Sequence, residues 1–340
     1  IAKTITLLES RRADHRELRQ AALDALMPAT GRAIRVGISG PPGVGKSSFI
    51  ETLGLELVAG GTELAVLAID PSSPVSGGSI LGDKTRMERL AREPHAYIRP
   101  TPSGGMLGGV AHRTREAILV CEAAGFDVVI VETVGVGQSE VEVHSMVDLF
   151  AVLLQPGAGD ELQGIKKGIL ELADLLVVNK ADGEQKAAAE RTRADHVHAL
   201  SLLSAGAGGW TPAVLCASAL TGDGIAEFWR LVLAHRETLS KSGELSRRRR
   251  AQARAWLWRL LDDGLQALRR RGEFGQRDPV HRAVRHGVGD HERLRRHRPH
   301  GLGQPGRRGA RHLGGAHHHG GGPGGRHSGG GLLQLLQQSH

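Results

Sequence analysis

Eight consecutive residues carry the first chemical signal in this 340-residue chain: Gly40, Pro41, Pro42, Gly43, Val44, Gly45, Lys46 and Ser47. Their types and spacing satisfy the pattern G-x-x-x-x-G-K-[ST]. Glycines free the backbone to wrap a phosphate chain with its N–H groups, and a helix that follows aims its positive end at the same charge. In such a loop the lysine, here Lys46, reaches the β- and γ-phosphates, and the hydroxyl of Ser47 ligates Mg²⁺. Ser48 carries the loop into the helix and is counted with it. A chance match in a glycine-rich chain is the bland alternative, at roughly a few per cent from residue frequencies. The flanks speak against it, because an apolar run (Ile34 to Ser39) precedes the loop and a helix-like segment follows. The ligand class is a nucleoside triphosphate.

Three carboxylates stand where later strands should end. Asp70 closes an apolar run and opens a Pro/Ser/Gly-rich loop that leads to Asp83. Glu132 closes another run and begins Glu132-Thr-Val-Gly135. A carboxylate at such a point can hold or orient a magnesium shell, and the Gly135 N–H can meet a γ-phosphate. A single acid at a strand end is usually only solvated, but three at one edge weaken that reading. Lys46, Asp83 and Glu132 are the candidate catalytic residues. Ser47, Asp70, Asp83 and Glu132 are the candidate metal set.

The base is read from Asn179, Lys180 and Asp182, which follow the apolar run Leu175 to Val178. An Asp carboxylate there accepts hydrogen bonds from guanine N1–H and the 2-amino group. Adenine offers an acceptor at N1 and no amino group, which leaves the carboxylate unpaired at a cost. Ser218, Ala219 and Leu220, after the last apolar run, add backbone N–H donors for the guanine carbonyl. The expected ligands are GTP and GDP with Mg²⁺.

These motifs need a sheet to hold them. Strands are expected at 34–39, 64–70, 127–132, 148–154, 174–179 and 213–217. Helices are expected at 3–27, 46–59, 83–92, 110–124, 164–172, 184–202, 223–238 and 246–271. Several strands are continuously apolar rather than alternating, so both faces are covered, as in a parallel sheet flanked by helices. The fold class is α/β, a doubly wound, mostly parallel sheet of the P-loop GTPase kind with helical arms at both ends. The domains divide as an N-terminal helical arm at 1–33, a nucleotide domain at 34–240, the start of a C-terminal arm at 241–271 and a low-complexity tail at 272–340.

The net charge of +8 is unevenly placed. Residues 247–340 hold 20 Arg, no Lys and 6 acidic residues, whereas residues 1–246 are net acidic by 6. The body therefore lacks the basic surface of a nucleic-acid binder. Cys121 and Cys216 are the only cysteines and form no disulfide framework or metal clip. No apolar run is long enough to span a membrane. A cytoplasmic protein is expected, or one of the mitochondrial matrix if the source is eukaryotic. The chain begins at Ile1, so a leader could precede it.

Taken in order, the blocks Gly40–Ser47, Asp70–Met87, Glu132–Glu140, Gln155–Ile169 and Asn179–Asp182 resemble one family. It comprises GTPases that chaperone adenosylcobalamin-dependent methylmalonyl-CoA mutase: the bacterial MeaB type and the methylmalonic aciduria type A proteins. Relatives carry an older label as lysine/arginine/ornithine transport-system kinases. The class has Glu rather than Asp in the third motif, and Glu132 fits it. The resemblance implies that the chain gates cofactor loading, protection and reactivation of a B12-dependent acyl-CoA mutase. It further implies a switch loop containing Asp160, Glu161, Gln163 and Lys166 that couples nucleotide state to that partner, and a homodimer built by the C-terminal arm. Here the arm gives way to Arg/His/Gly-rich sequence after about Arg271, which we read as a frame change in a GC-rich gene. Dimerisation then depends on an intact arm.

Three rivals remain open at this point, one of them a nucleotide held merely as a structural ligand. The same class includes nickel-delivery GTPases, and eleven histidines from His281 onward invite that reading, but cysteines near the phosphate loop are missing. A kinase that phosphorylates an amino-acid transport protein is the third, although switch-like loops fit hydrolysis better than transfer.

Overall fold

Consecutive apolar residues in each strand point to opposite sides of a sheet, and both sides are dry. In a computed structural model of the chain, described over residues 1–10, 12–70, 87–102, 107–133, 139–157, 167–201 and 209–270, the strands are β1 (Ile34–Ser39), β2 (Leu64–Asp70), β3 (Ala96–Pro102), β4 (Val128–Glu132), β5 (Leu149–Leu154), β6 (Leu175–Val178) and β7 (Ala213–Cys216). They form one sheet in the order β3-β2-β4-β1-β5-β6-β7, and each neighbouring pair is parallel. All carboxyl ends therefore share one edge. The helices are α1 (Ala2–Glu9), α2 (Arg16–Leu26), α3 (Lys46–Ala59), α4 (Leu107–Ala123), α5 (Ser139–His144), α6 (Lys167–Leu170), α7 (Lys186–Ser201), α8 (Ile225–Lys241) and α9 (Glu244–Arg270).

Two buried cores result, one on each face. Val36, Ile38, Val128 and Ile130 pack with Phe49 and Ile50 of α3 and Phe228 of α8. Val129, Val131, Phe150 and Val152 pack with Ile5 of α1, Ile118 of α4 and Val143 of α5. Phe49 and Phe228 meet edge to face, ring centres 5.0 Å apart, which locks α3 against α8. The doubly wound parallel architecture expected from the apolar runs is the architecture found. Among the described residues no helix is long and apolar enough to cross a membrane.

The differences from expectation have local causes. β3 belonged to no expected element; it contains Pro100 and Pro102, a residue type that the middle of a sheet excludes. Among the described residues it lies at the sheet edge and pairs only with β2, and prolines are tolerated at edges. Within the expected helix 83–92, the described residues from Met87 hold only a short 3₁₀ turn, Leu90–Arg92. Within the expected helix 164–172, the described residues from Lys167 hold α6 over Lys167–Leu170. The N-terminal helix expected at 3–27 is broken into α1, a 3₁₀ turn at Ala13–His15, and α2. Ser10 stands at the break: its hydroxyl meets His15 Nδ1 at 2.8 Å and its carbonyl accepts from Arg19 Nη1 at 2.8 Å. Such side-chain bonds compete with helix continuation. The tail at 272–340 lies outside the described residues.

At the amino ends of the strands, arginines answer buried carboxylates. Arg35 on β1 makes a two-pronged pair with Glu122 of α4, at 2.8 and 2.7 Å. Arg249 of α9 grips Asp148 with Nε at 2.7 Å and Nη2 at 2.6 Å. Arg248 of α9 reaches both oxygens of Asp174 at 3.2 Å, and Asp174 also accepts from the Phe150 N–H at 2.9 Å and lies 3.5 Å from His235 of α8. Burial alone would raise the Asp174 pKa, but His235 and Arg248 hold it well below the usual carboxylate range.

Removing one member of a buried charged cluster leaves the others uncompensated. Asp174→Asn should lower stability by about 3–5 kcal/mol near neutral pH, measured by urea unfolding. Because the folded carboxyl titrates lower than the unfolded one, its contribution is complete above pH ~4 and fades as pH falls further. The gap between wild type and variant should narrow below that pH.

Candidate functional site

β1 runs straight into the phosphate loop, and α3 begins at Lys46, so the strand–loop–helix context is present. Gly40, Gly43 and Gly45 have φ of 148°, 77° and 93°, values side chains seldom accept. Two of them are also closed sterically. A Cβ on Gly40 would lie 2.6 Å from the Leu153 carbonyl oxygen of β5, and one on Gly45 would lie 2.8 Å from Asn179 Nδ2. Lys46 is buried, and its Nζ donates to the carbonyls of Gly40 at 2.8 Å and Pro41 at 3.1 Å. Its ammonium thus sits across the mouth of the loop it would serve.

Glu132 ends β4, the immediate neighbour of β1, in register with Ile38. Alternation along β4 puts its side chain on the face shared with α3, and Ser47 Oγ donates to Glu132 Oε1 at 2.9 Å. Glu132 is only 7% exposed. A hydroxyl and a carboxylate oxygen at this spacing are the donors that Mg²⁺ takes, with substrate phosphates completing the shell. Among the described residues no group of three or more His, Cys, Asp or Glu could hold a metal. Ser47 and Glu132 would hold magnesium there, and the ion would supply neutralisation of phosphate charge.

On the other flank, Asn179 joins two loops. Its Nδ2 donates to the Val44 carbonyl at 2.8 Å, and its Oδ1 accepts from the Ala219 N–H at 3.3 Å. Lys180, at φ 60°, donates from Nζ to the Gly43 carbonyl at 2.7 Å. Asp182 accepts a short hydrogen bond from Ser218 Oγ, and Ser218 Oγ in turn accepts from the N–H groups of Leu220 and Thr221 at 3.2 Å. The Leu220 side chain is 85% exposed. Thr52 of α3 donates to the Ala219 carbonyl at 2.8 Å, tying the loop after β7 to the helix of the phosphate loop.

The structure therefore brings Gly40–Ser48, Glu132, Asn179, Lys180, Asp182 and Ser218–Leu220 to one edge. Asp70 closes β2 on the same edge, one strand beyond β4. Asp83, Gly135, Asp160, Glu161, Gln163 and Lys166 lie outside the described residues. Sequence reasoning overlooked Thr52, whose only sign was its place on the helix after the loop. It also overlooked Ser39 and Thr133, buried hydroxyls next to the two motifs, with Thr133 Oγ1 donating to Ser39 Oγ at 2.8 Å.

The family described as methylmalonyl Co-A mutase-associated GTPase MeaB matches residues 1–273. The chain belongs to this family. It is 58% identical over 266 residues to a Caulobacter vibrioides protein provisionally named a GTPase, covering 78% of this chain and 81% of that one. It is 48% identical over 275 residues to the mouse methylmalonic aciduria type A homolog, covering 78% and 66%. A solved structure of an LAO/AO transport system kinase matches with a TM-score of 0.65 at 37% identity, over 85% of this chain and 92% of that one. The chain is a GTPase of the P-loop class, as the phosphate loop and guanine motif implied.

The tightest test of the MeaB-type phosphate loop is Gly40. Gly40→Ala must push against the β5 backbone, which cannot give as a flexible side chain does. Binding of a fluorescent GDP analogue should weaken by at least roughly tenfold, about 1.4 kcal/mol, with the rest of the fold retained by circular dichroism.

Proposed function

We propose that this MeaB-family GTPase hydrolyses GTP to time the loading, protection and reactivation of a B12-dependent acyl-CoA mutase, with methylmalonyl-CoA mutase as the first candidate. The observation that carries the nucleotide half is the Ser47–Glu132 hydrogen bond at 2.9 Å on one flank of the loop, with Asn179, Lys180 and Asp182 on the other. The mutase half is supported by the family match over residues 1–273.

In this reading the phosphate loop wraps the β-phosphate with backbone N–H groups. Lys46 turns its ammonium from the Gly40 and Pro41 carbonyls to the β- and γ-phosphates and spreads their developing charge. Ser47 and Glu132 hold magnesium, with Asp70 and Asp83 as further members of the metal set. Asp182 reads N1–H and the 2-amino group of guanine, while Ser218 fixes the carboxylate. Gly135 meets the γ-phosphate, and the loop with Asp160, Glu161, Gln163 and Lys166 conveys its presence to the mutase. The nucleotide domain at 34–240 works with an N-terminal arm at 1–33 and a dimerising arm from 241, in the cytoplasm of a bacterial source.

Two measurements test the two halves. Adding a candidate mutase should raise the rate of phosphate release from GTP roughly tenfold, within the usual span of coupled sites. Unchanged rates with every acyl-CoA mutase tried would sink the chaperone assignment, and transfer of labelled phosphate to a protein would favour the kinase reading. For the base, Asp182→Asn should exchange preference. Xanthine carries a carbonyl where guanine has its amino group, so an amide donor suits it. Xanthosine triphosphate should then outcompete GTP in a displacement assay; retained GTP preference would defeat the role given to Asp182.

A further inference from the structure

Ser39 and Thr133 sit directly beside two motifs without belonging to either. Ser39 is the last residue of β1, next to Gly40, and Thr133 follows Glu132 at the end of β4. Both are 1% exposed. Alternation places them away from the nucleotide. Val36, Ile38, Val128 and Ile130 share the α3 core, so Glu132 faces α3, where Ser47 waits. Val129 and Val131 belong to the opposite core, and Thr133 follows their parity. A Cβ on Gly37, two residues before Ser39, would press on Phe150, Val143 and Val147 of that same core. The two hydroxyls thus meet beneath the sheet edge and cannot touch a phosphate or a metal.

Their placement along the strands is what matters. The Thr133 N–H donates to the Ile38 carbonyl at 3.0 Å, the last backbone link between β1 and β4 among the described residues. The next link, and the last between these two strand ends among the described residues, is the Thr133 Oγ1 to Ser39 Oγ hydrogen bond at 2.8 Å. Beyond it one chain turns into the phosphate loop and the other leaves toward residue 134. The splay of the two ends therefore depends on this bond. On its other side β1 stays paired with β5 as far as Ser39, in register with Val152, so movement at the β1–β4 gap would shift Glu132 relative to Ser47 rather than the loop relative to β5.

We infer that the Ser39–Thr133 hydroxyl pair is a positioning latch that sets the Glu132 carboxylate at ligand distance from Ser47, and so governs magnesium affinity at the nucleotide site. The inference rests on the metal role proposed above for Glu132. Partners that orient a metal ligand without touching the metal commonly change its affinity 10–100-fold when removed. A ligand displaced by half an ångström is already outside productive geometry.

A merely structural hydroxyl pair makes a different forecast, and the two separate in a double variant. Thr133→Val keeps the shape but strands the buried Ser39 hydroxyl, so it should lower the melting temperature under either account. Ser39→Ala with Thr133→Val removes both partners and should return the melting temperature toward wild type. The readout is equilibrium binding of a fluorescent methylanthraniloyl-GDP across a magnesium titration, in the full chain. We expect Thr133→Val and the double variant to need about tenfold more magnesium for half-maximal binding, and Thr133→Ser, which retains the hydroxyl, to titrate as wild type. A double variant with the wild-type magnesium requirement overturns the latch. Glu132→Gln is measured in parallel. If it shifts the titration while the double variant does not, only the latch fails; if Glu132→Gln leaves it unmoved, the metal role of Glu132 fails and the latch with it.

Discussion

The backbone at Gly40 passes so close to the Leu153 carbonyl of β5 that no side chain fits between them. That closeness reserves the position for glycine just where β1, paired with β5 through Ser39 and Val152, turns into the phosphate loop, and most of the site follows from this turn. Because β1 lies between β4 and β5, whatever emerges from β1 is confined on both sides. The parallel sheet brings the ends of β4 and β6 to the same edge, so Glu132 and Asn179 arrive beside the loop without any long-range search. A parallel sheet whose strand order reverses beside its first strand leaves a crevice there, and ligands of such folds bind in it. The chemistry is local, but its placement is topological.

Asn179 shows how few side chains are needed to join the base and phosphate regions. One amide serves the Val44 carbonyl with its nitrogen and the Ala219 N–H with its oxygen. Lys180 adds a second strut to Gly43, and it accepts a left-handed backbone conformation to do so. Thr52 ties the loop after β7 back to α3. Three chain segments distant in sequence are thereby held as one rim, so a disturbance at the base should be felt at the phosphates.

Much of this was legible because motif residues and continuously apolar strands are local signals. Val128 to Val131 could only be a strand covered on both sides, but the order across the sheet, which sets the phosphate loop of β1 between Glu132 of β4 and Asn179 after β6, differs from the order along the chain. What was not legible depended on neighbours. Pro100 and Pro102 suit only an edge strand, and that β3 is an edge shows only in the pairing. Ser10 looked like an ordinary helix residue until its hydroxyl met His15. Ser39 and Thr133 look like unremarkable small polar residues, and only the adjacency of β1 and β4 brings their hydroxyls together. The pairing of Arg248 and Arg249 with Asp174 and Asp148 was equally hidden, since an arginine run reads as a solvated face.

That arginine run has a further meaning. Residues 247–250 appear in sequence as the threshold of a basic, composition-biased region, a natural place to cut the chain. In the folded molecule Arg248 and Arg249 are the counter-ions of carboxylates sunk at the feet of β5 and β6. Severed before α9, Asp148 would keep, among the described residues, only the Arg35 N–H, and Asp174 only the Phe150 N–H and His235, without the guanidinium that balances each charge. The arm is joined to the nucleotide domain by charge neutrality rather than by a linker, so the two should melt in a single transition. A boundary drawn from composition would divide what electrostatics has made one cooperative unit.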